Sequence, residues 1–309
     1  MNISSLSIKS KAIELGFHKI GISKAVSTPN EKEKLQSWLN DKKHGSMILM
    51  DKRSQERGDI HEYFNNAKSV ISVGLNYYTG FNQKDIKSNY KFSNYAWGED
   101  YHYIVKSKLY QLLKWIKDFD ANIKGLVCSD TSPIMEKVWA QRSGLGWIGK
   151  HTNLITKDYG SWLFLGELIL DVELKYDSLF EEDLCGSCTA CIDSCPTIAL
   201  EEYQINSAKC ISYLNIEHRG AFLENRTNLH GWIYGCDICQ DVCPWNNKFE
   251  KVTDEISFKP KKEILNWTNE DWQNLDEKSF RKLFKGSSVK RTKYSGLKRN
   301  IETIIKNKK

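Results

Sequence analysis

The sequence predicts an α/β or α+β sheet domain, followed by a metal-dependent cysteine segment and a basic helical tail. Three observations predict it. Helical and strand-like apolar runs alternate over roughly the first 175 residues. Eight of the nine cysteines fall between Cys185 and Cys243. Beyond Asn247 the pattern turns helical and basic. The expected organisation is a sheet domain over 1–175, a cysteine-rich domain over 176–250 and a basic helical segment over 251–309.

Ser10 to Phe17 and Tyr103 to Phe119 carry apolar residues at helical spacing, while Ala67 to Tyr77, Asn122 to Cys128 and Ser161 to Leu174 are β-branched or apolar runs of strand length. With 309 residues, 40% hydrophobic and 27% charged, the chain can bury a sizeable core, which excludes disordered and fibrous classes. Its greasiest stretch, Ser161 to Val172, is interrupted by Glu167 and Asp171 and falls short of the roughly 18 apolar residues of a membrane span. The N-terminal stretch MNISSLSIKSKAIELGF has no cationic region, apolar run or twin arginine, so a cytoplasmic location is expected. Five prolines and no Gly/Ser-rich stretch leave no flexible linker, and no solenoid-length repeat is present.

Cytoplasmic thiols stay reduced, so metal ligation is the leading account of the cysteines. Cys185-x2-Cys188-x2-Cys191-x3-Cys195-Pro196 is joined by Cys210 and then by Cys236-x2-Cys239-x3-Cys243-Pro244, the spacing of a bacterial two-cluster ferredoxin stretched in its second half. Thiolates at i, i+3 and i+6 wrap one cube, and the cysteine before proline is carried on to the other. One 4Fe-4S cluster then takes Cys185, Cys188, Cys191 and Cys243, and the second takes Cys195, Cys236, Cys239 and, by elimination, Cys210. Zinc knuckles also use C-x2-C pairs, although crossed C-x3-C-P endings are not what zinc requires. Cys128, at the end of an expected strand, reads as a small buried hydrophobe. The segment has too few apolar periodic stretches to form a core alone and should depend on its metal.

Gly144 to Gly149 matches G-x-G-x-x-G, but a helical pattern precedes it and no helix follows, so nicotinamide binding is rejected there. Those glycines suit close approach of a flat ligand or of another segment. Asp130-Thr131-Ser132-Pro133 follows the strand ending at Cys128 and is expected to open a helix at Pro133. Asp130 is either a helix cap or a carboxyl at a ligand-binding strand edge, where burial would raise its pKa and make it a general acid. Ser93 to His102 (SNYAWGEDYH) reads as a cavity loop or a surface cluster, and Arg53 and Arg57 as surface charge or as partners for an anionic or amide-bearing ligand.

Net charge is +6, from 45 basic and 39 acidic residues. Residues 281–309 hold eleven Lys or Arg against Glu302 alone, which leaves 34 basic and 38 acidic residues elsewhere. A −4 body with a +10 tail suggests a polyanionic partner; a solvated terminal helix is the alternative.

Taken together and in this order, AKSVISVGLNYY, NYAWGEDYH, DTSPIMEK, GLGWIGKHTNLI, SWLFLGELIL, CGSCTACIDSCPT, CISYLNIEHRG and GWIYGCDICQDVCPWN resemble the epoxyqueuosine reductases, in a short form without a helical-repeat extension. The resemblance implies a cobalamin in the first domain, bound base-off with no protein histidine on cobalt, facing two 4Fe-4S clusters. It implies a two-electron reductive opening of the epoxide of epoxyqueuosine, at the wobble position of a tRNA anticodon stem-loop, to give queuosine and water. Electrons would come from a flavodoxin or ferredoxin system and pass through the clusters to cobalamin. Asp130 would be the proton donor, and Arg57, Ser93, Asp130, His151, Leu154, Ser212 and Arg219 would contact the corrinoid. A monomer is expected. The rivals are a reductive dehalogenase-like cobalamin enzyme, commonly exported and using tyrosine as donor, and a noncatalytic ferredoxin-type electron carrier.

Overall fold

A computed structural model describes residues 3–222 and 227–307, so Lys308 and Lys309 of the basic tail lie outside the described residues. Strands β1 (Lys19–Lys24), β2 (Ser69–Asn76), β3 (Gly125–Cys128) and β4 (Leu163–Leu170) form one sheet in the order β1-β2-β4-β3. Every neighbouring pair is antiparallel, so the domain is α+β.

The sheet is covered on both faces, which is why β2 and β4 read as near-continuous apolar runs rather than as alternating ones. Side chains of one parity, Ile71 and Val73 on β2 with Leu168 and Leu170 on β4, pack under helices α1 (Ser5–Glu14) and α2 (Tyr101–Lys117) through Ile8, Ala12, Val105, Leu109 and Ile116. Those of the other parity, Val70 and Ile169, meet Cys128 and Trp139 of helix α3 (Glu136–Arg142). Helix α1 starts five residues before the expected Ser10, because the Ser4 side chain caps it by accepting from the Ser7 N–H; the chain then turns at Gly16, φ +89°. Strand β1 escaped the sequence reading: KIGISK offers only two apolar side chains split by Gly21, whose missing Cβ admits the Ser143 carbonyl.

A second apolar core cuts across the expected boundaries at 175 and 250. Tyr90, Phe92 and Trp97 pack with Trp232, Ile233 and Tyr234 of the cysteine segment and with Trp272, Phe284, Leu297 and Ile301 of the tail. The short strand Lys91–Phe92 pairs in parallel with Trp232–Tyr234. Buried Asn300 of helix α4 (Lys293–Lys306) donates to the carbonyls of Asn215 and Ile233, and Asn215 donates to those of Trp232 and Gly235. The tail thereby fixes the backbone that leads into Cys236. Phe284 is fully buried in this core, its ring packed against Phe92, Trp272 and Phe280. Among the described residues no helix is long and apolar enough to cross a membrane.

Candidate functional site

Beyond β3 the chain makes an irregular loop, and α3 begins only at Glu136, with Met135 as its cap residue. The helix expected at Pro133 is therefore absent and Asp130 is no helix cap. Asp130 instead adopts a left-handed backbone, φ +53°, unusual for a residue with a side chain. Its N–H donates to the Glu136 carboxylate. Its Oδ2 lies 3.0 Å from Nε2 of His102, whose Nδ1 is 2.6 Å from Oδ1 of Asp100. Asp100 caps α2 by accepting from the His102 N–H, so the start of that helix aims the imidazole between two carboxyls.

The electrostatics reverse the expectation that burial would raise Asp130. Burial does work in that direction, but hydrogen bonding and charge from His102, with the Tyr101 phenol, outweigh it and hold the carboxyl below its ordinary value. The Asp130 side chain is about half exposed (52%), which limits the desolvation. Burial likewise opposes the His102 imidazolium, yet Asp100 and Asp130 push it up to about 9. Near neutrality the proton of this trio sits on His102.

Asp130, Leu154 and Ser212 line a solvent-open cavity of about 310 Å³ between the sheet domain and the cysteine segment. Tyr77, Tyr95, Tyr101, Phe164 and Leu165 give it an aromatic and apolar wall, and Lys137, Ser161 and Gln240 a polar one. Tyr101 stacks on Phe164, 4.1 Å between ring centroids and nearly parallel. Ser161 Oγ lies 2.9 Å from Gln240 Oε1, joining the two units across the floor.

The other expected contacts stand at varied remove. Arg57 sits behind the Asp130 loop, with Nη1 3.5 and 3.3 Å from the carbonyls of Ser132 and Ile134. His151 is buried; its Nδ1 accepts from the Asn153 N–H and its Nε2 has no partner among the described residues. Burial, then the Lys137 charge, pushes it down to about 4, so it is neutral. Ser93 donates to Asp237, and Arg219 donates to the carbonyls of Ile216 and Arg291; neither lines the cavity. Gly146 of the glycine-rich loop lets the hairpin partner approach, since a Cβ there would lie 2.0 Å from the Ile155 carbonyl.

Sequence reasoning missed Lys137, Glu136 and Glu167. Lys137 Nζ donates to the Thr152 carbonyl at 2.8 Å and closes one side of the cavity. Glu167 lies mid-strand on β4 opposite Ser72 and Cys128, fully buried, with neither oxygen bonded among the described residues. Burial and then Glu136 raise its pKa well above the ordinary carboxylate range. A carboxylic acid inside an otherwise apolar strand was the available signal.

The eight clustered cysteines are all free thiols. Burial raises the pKa values of Cys191, Cys210, Cys236, Cys239 and Cys243, and the neighbouring thiols that add to it sort them. Cys191 is pushed up to about 11 by burial and then by Cys243, Cys185 and Cys188, while Cys243 feels Cys185 and Cys188. Cys210 feels Cys195, Cys236 feels Cys239 and Cys210, and Cys239 feels Cys210, Cys191 and Cys195. The sets Cys185, Cys188, Cys191, Cys243 and Cys195, Cys210, Cys236, Cys239 are thus brought together, close to one another through Cys239 and Cys191. Two short helices, Ala190–Asp193 with Cys191 and Ile238–Asp241 with Cys239, pack against each other. Among the described residues no three His, Cys, Asp or Glu side chains stand close enough together to hold a metal ion. Cys128 faces Glu167, Ser132, Glu136 and Lys106 instead.

Comparison with known proteins agrees with both halves of the site. The family model for epoxyqueuosine reductase QueG, DUF1730, matches residues 57–131, and that for a 4Fe-4S double cluster binding domain matches residues 184–246. The epoxyqueuosine reductase of Cellulophaga algicola is 46% identical over 299 residues, 96% of either chain. A crystal structure of epoxyqueuosine reductase with an epoxyqueuosine-modified tRNA-Tyr stem loop superposes with TM-score 0.88 at 26% identity, covering 97% of this chain and 80% of that one. The Bacillus subtilis enzyme, whose catalytic aspartate loop was captured swung out of the active site, superposes with TM-score 0.85 at 25% identity over 97% of this chain and 80% of that one. On this evidence the chain is an oxidoreductase that belongs to the epoxyqueuosine reductase family.

Proposed function

We propose that this chain reduces the epoxide of epoxyqueuosine in tRNA to the alkene of queuosine, with Asp130 delivering the proton that turns the epoxide oxygen into a leaving group. The observation that carries the reading is the Asp100–His102–Asp130 relay ending at a cavity shared by the sheet domain and the cluster segment. The balance is two electrons and two protons in, and one water out. The family relation, and the loop movement captured in the Bacillus subtilis enzyme, support Asp130 as donor.

The chain's own residues fit a corrinoid. Among the described residues the buried His151 Nε2 lacks a partner and would satisfy an amide oxygen, and the Arg57 Nε is orphaned in the same way behind the Asp130 loop. Leu154, Leu165 and Phe164 offer an apolar face to a flat ring, and Ser212 reaches in from the cluster segment. A corrinoid exceeds 310 Å³, and the cavity is open on one side to take the excess. When bound, it supplies reduced cobalt as the electron source for the epoxide carbon, replenished from the clusters.

The protein's part is proton handling. Asp130 lines the cavity and His102 does not, so Asp130 delivers and His102 stores. Asp100 keeps the stored proton on the imidazole by pairing with its other nitrogen, which leaves Nε2–H directed at Asp130. Tyr101, stacked on Phe164, turns its phenol toward the Asp130 carboxyl and helps hold its pKa down.

The test is anaerobic turnover of epoxyqueuosine-bearing tRNA by protein reconstituted with iron, sulfide and cobalamin and supplied with a chemical reductant. Mass spectrometry of the digested tRNA should show queuosine. Intact epoxide after incubation with fully loaded protein would overturn the reading.

A further inference from the structure

Asp130 is held in place by a neighbour whose part in the reaction is not obvious from its position. Its left-handed backbone is one that residues with side chains adopt only at a cost, so something must hold it. The loop from Ser129 to Met135 is irregular, with only short-range turns of its own, Thr131 N–H to the Ser129 carbonyl and Ile134 N–H to the Ser132 carbonyl. The Asp130 N–H is directed at the Glu136 carboxylate, and Glu136 is anchored because it opens α3. Arg57 touches the far end of the loop at the Ser132 and Ile134 carbonyls. Glu167, buried and with neither oxygen bonded among the described residues, raises Glu136 no further than burial and the Asp130 charge already do, to about 7.

We propose that Glu136 is a positioning residue for the reaction: by accepting the Asp130 N–H, its carboxyl latches the loop so that the Asp130 side chain stays against His102 and the cavity. The latch is one hydrogen bond that opens without disturbing the sheet or the clusters, so it lets the loop release and re-engage as substrate enters and product leaves. This rests on the reading of Asp130 as proton donor.

Two conservative variants separate the latch from mere charge. Glu136→Gln keeps an acceptor at the same reach and loses the charge; Glu136→Asp keeps the charge and withdraws the acceptor by one methylene. Hydrogen exchange of a peptide spanning 129–134 and steady-state kinetics with epoxyqueuosine-bearing tRNA are measured on both, alongside iron content. The latch predicts wild-type loop protection and kcat within about threefold for Glu136→Gln. For Glu136→Asp it predicts faster loop exchange and a kcat lower by about 10- to 100-fold, with KM and iron unchanged. Wild-type exchange and kcat in Glu136→Asp would overturn the proposal, and so would a Glu136→Gln as impaired as Glu136→Asp. If even the wild-type protein leaves the epoxide intact, the donor reading fails while loop exchange still decides the latch.

Discussion

Asp130 Oδ2 and His102 Nε2 face each other at 3.0 Å, and the one proton between them rests on the imidazole side. A carboxylate poised beside an imidazolium can deliver a proton and be refilled without waiting for water. Asp130→Asn preserves shape and cannot take part in that exchange. Turnover should fall by about 10²- to 10⁴-fold, the usual cost of a lost general acid, with iron and corrinoid content unchanged. Wild-type turnover in this variant would reduce Asp130 to a loop residue.

The same pair sets a pH dependence. His102 has its folded pKa raised to about 9, so its proton is held through neutrality and lost as pH rises through about 9. Single-turnover rate should therefore be flat between about pH 7 and 8 and fall above about 9. The pairing's contribution to stability has the same sign: fully present below the ordinary histidine value and lost through about pH 9. In His102→Gln the reservoir is gone and Asp130 returns toward an ordinary carboxylate, so the falling limb should move down by more than two pH units. An unmoved limb would show that another group stores the proton.

The metal inventory follows from the two thiol sets. Anaerobic reconstitution should give about eight iron and eight sulfide per chain. Cys210→Ser should lose about half of them, while Cys128→Ala, at a buried position facing Glu167 and Glu136, should keep all eight. Stoichiometric zinc with only trace iron, or a cluster lost from Cys128→Ala, would reassign the ligands.

The cluster segment was legible because its chemistry is written in spacing along the chain, which survives without knowledge of the fold. Strands 67–77 and 161–174 were legible for a related reason: a central strand buried on both faces, as β2 and β4 are, needs no partner to be recognised. The Asp130 site was legible only in outline. His102 and Asp130 are 28 residues apart, and their meeting depends on where α2 starts relative to the end of β3. The expected rise in the Asp130 pKa failed for that reason, since burial was foreseen and the imidazolium beside it was not. In the tail, counting charge could not tell a free lysine from an arginine occupied with carbonyls.

That distinction decides the last prediction. Arg299 donates to the carbonyls of Leu214, His218 and Gly220 and lies 4.1 Å over the Phe222 ring, and Lys298 Nζ reaches the Gln273 carbonyl. Arg299 holds the tail to the cluster segment, and Lys298 ties the tail to itself. Lys290 and Lys293 are exposed, and Arg291, paired with Glu217, is near enough for its charge to act on Asp130. A basic edge thus borders the active site, on a body whose charge outside residues 281–309 is negative. If tRNA docks there, replacing Lys290, Arg291 and Lys293 together by Gln should weaken binding and lower the slope of log K against log salt, by up to about 0.9 per lost duplex phosphate contact. Arg299→Gln should leave that slope alone and instead lower thermal stability, because it strands carbonyls at about 1–3 kcal/mol in total. Wild-type affinity and slope in the triple variant would move the docking surface elsewhere, and a reduced slope in Arg299→Gln alone would return that arginine to the tRNA interface.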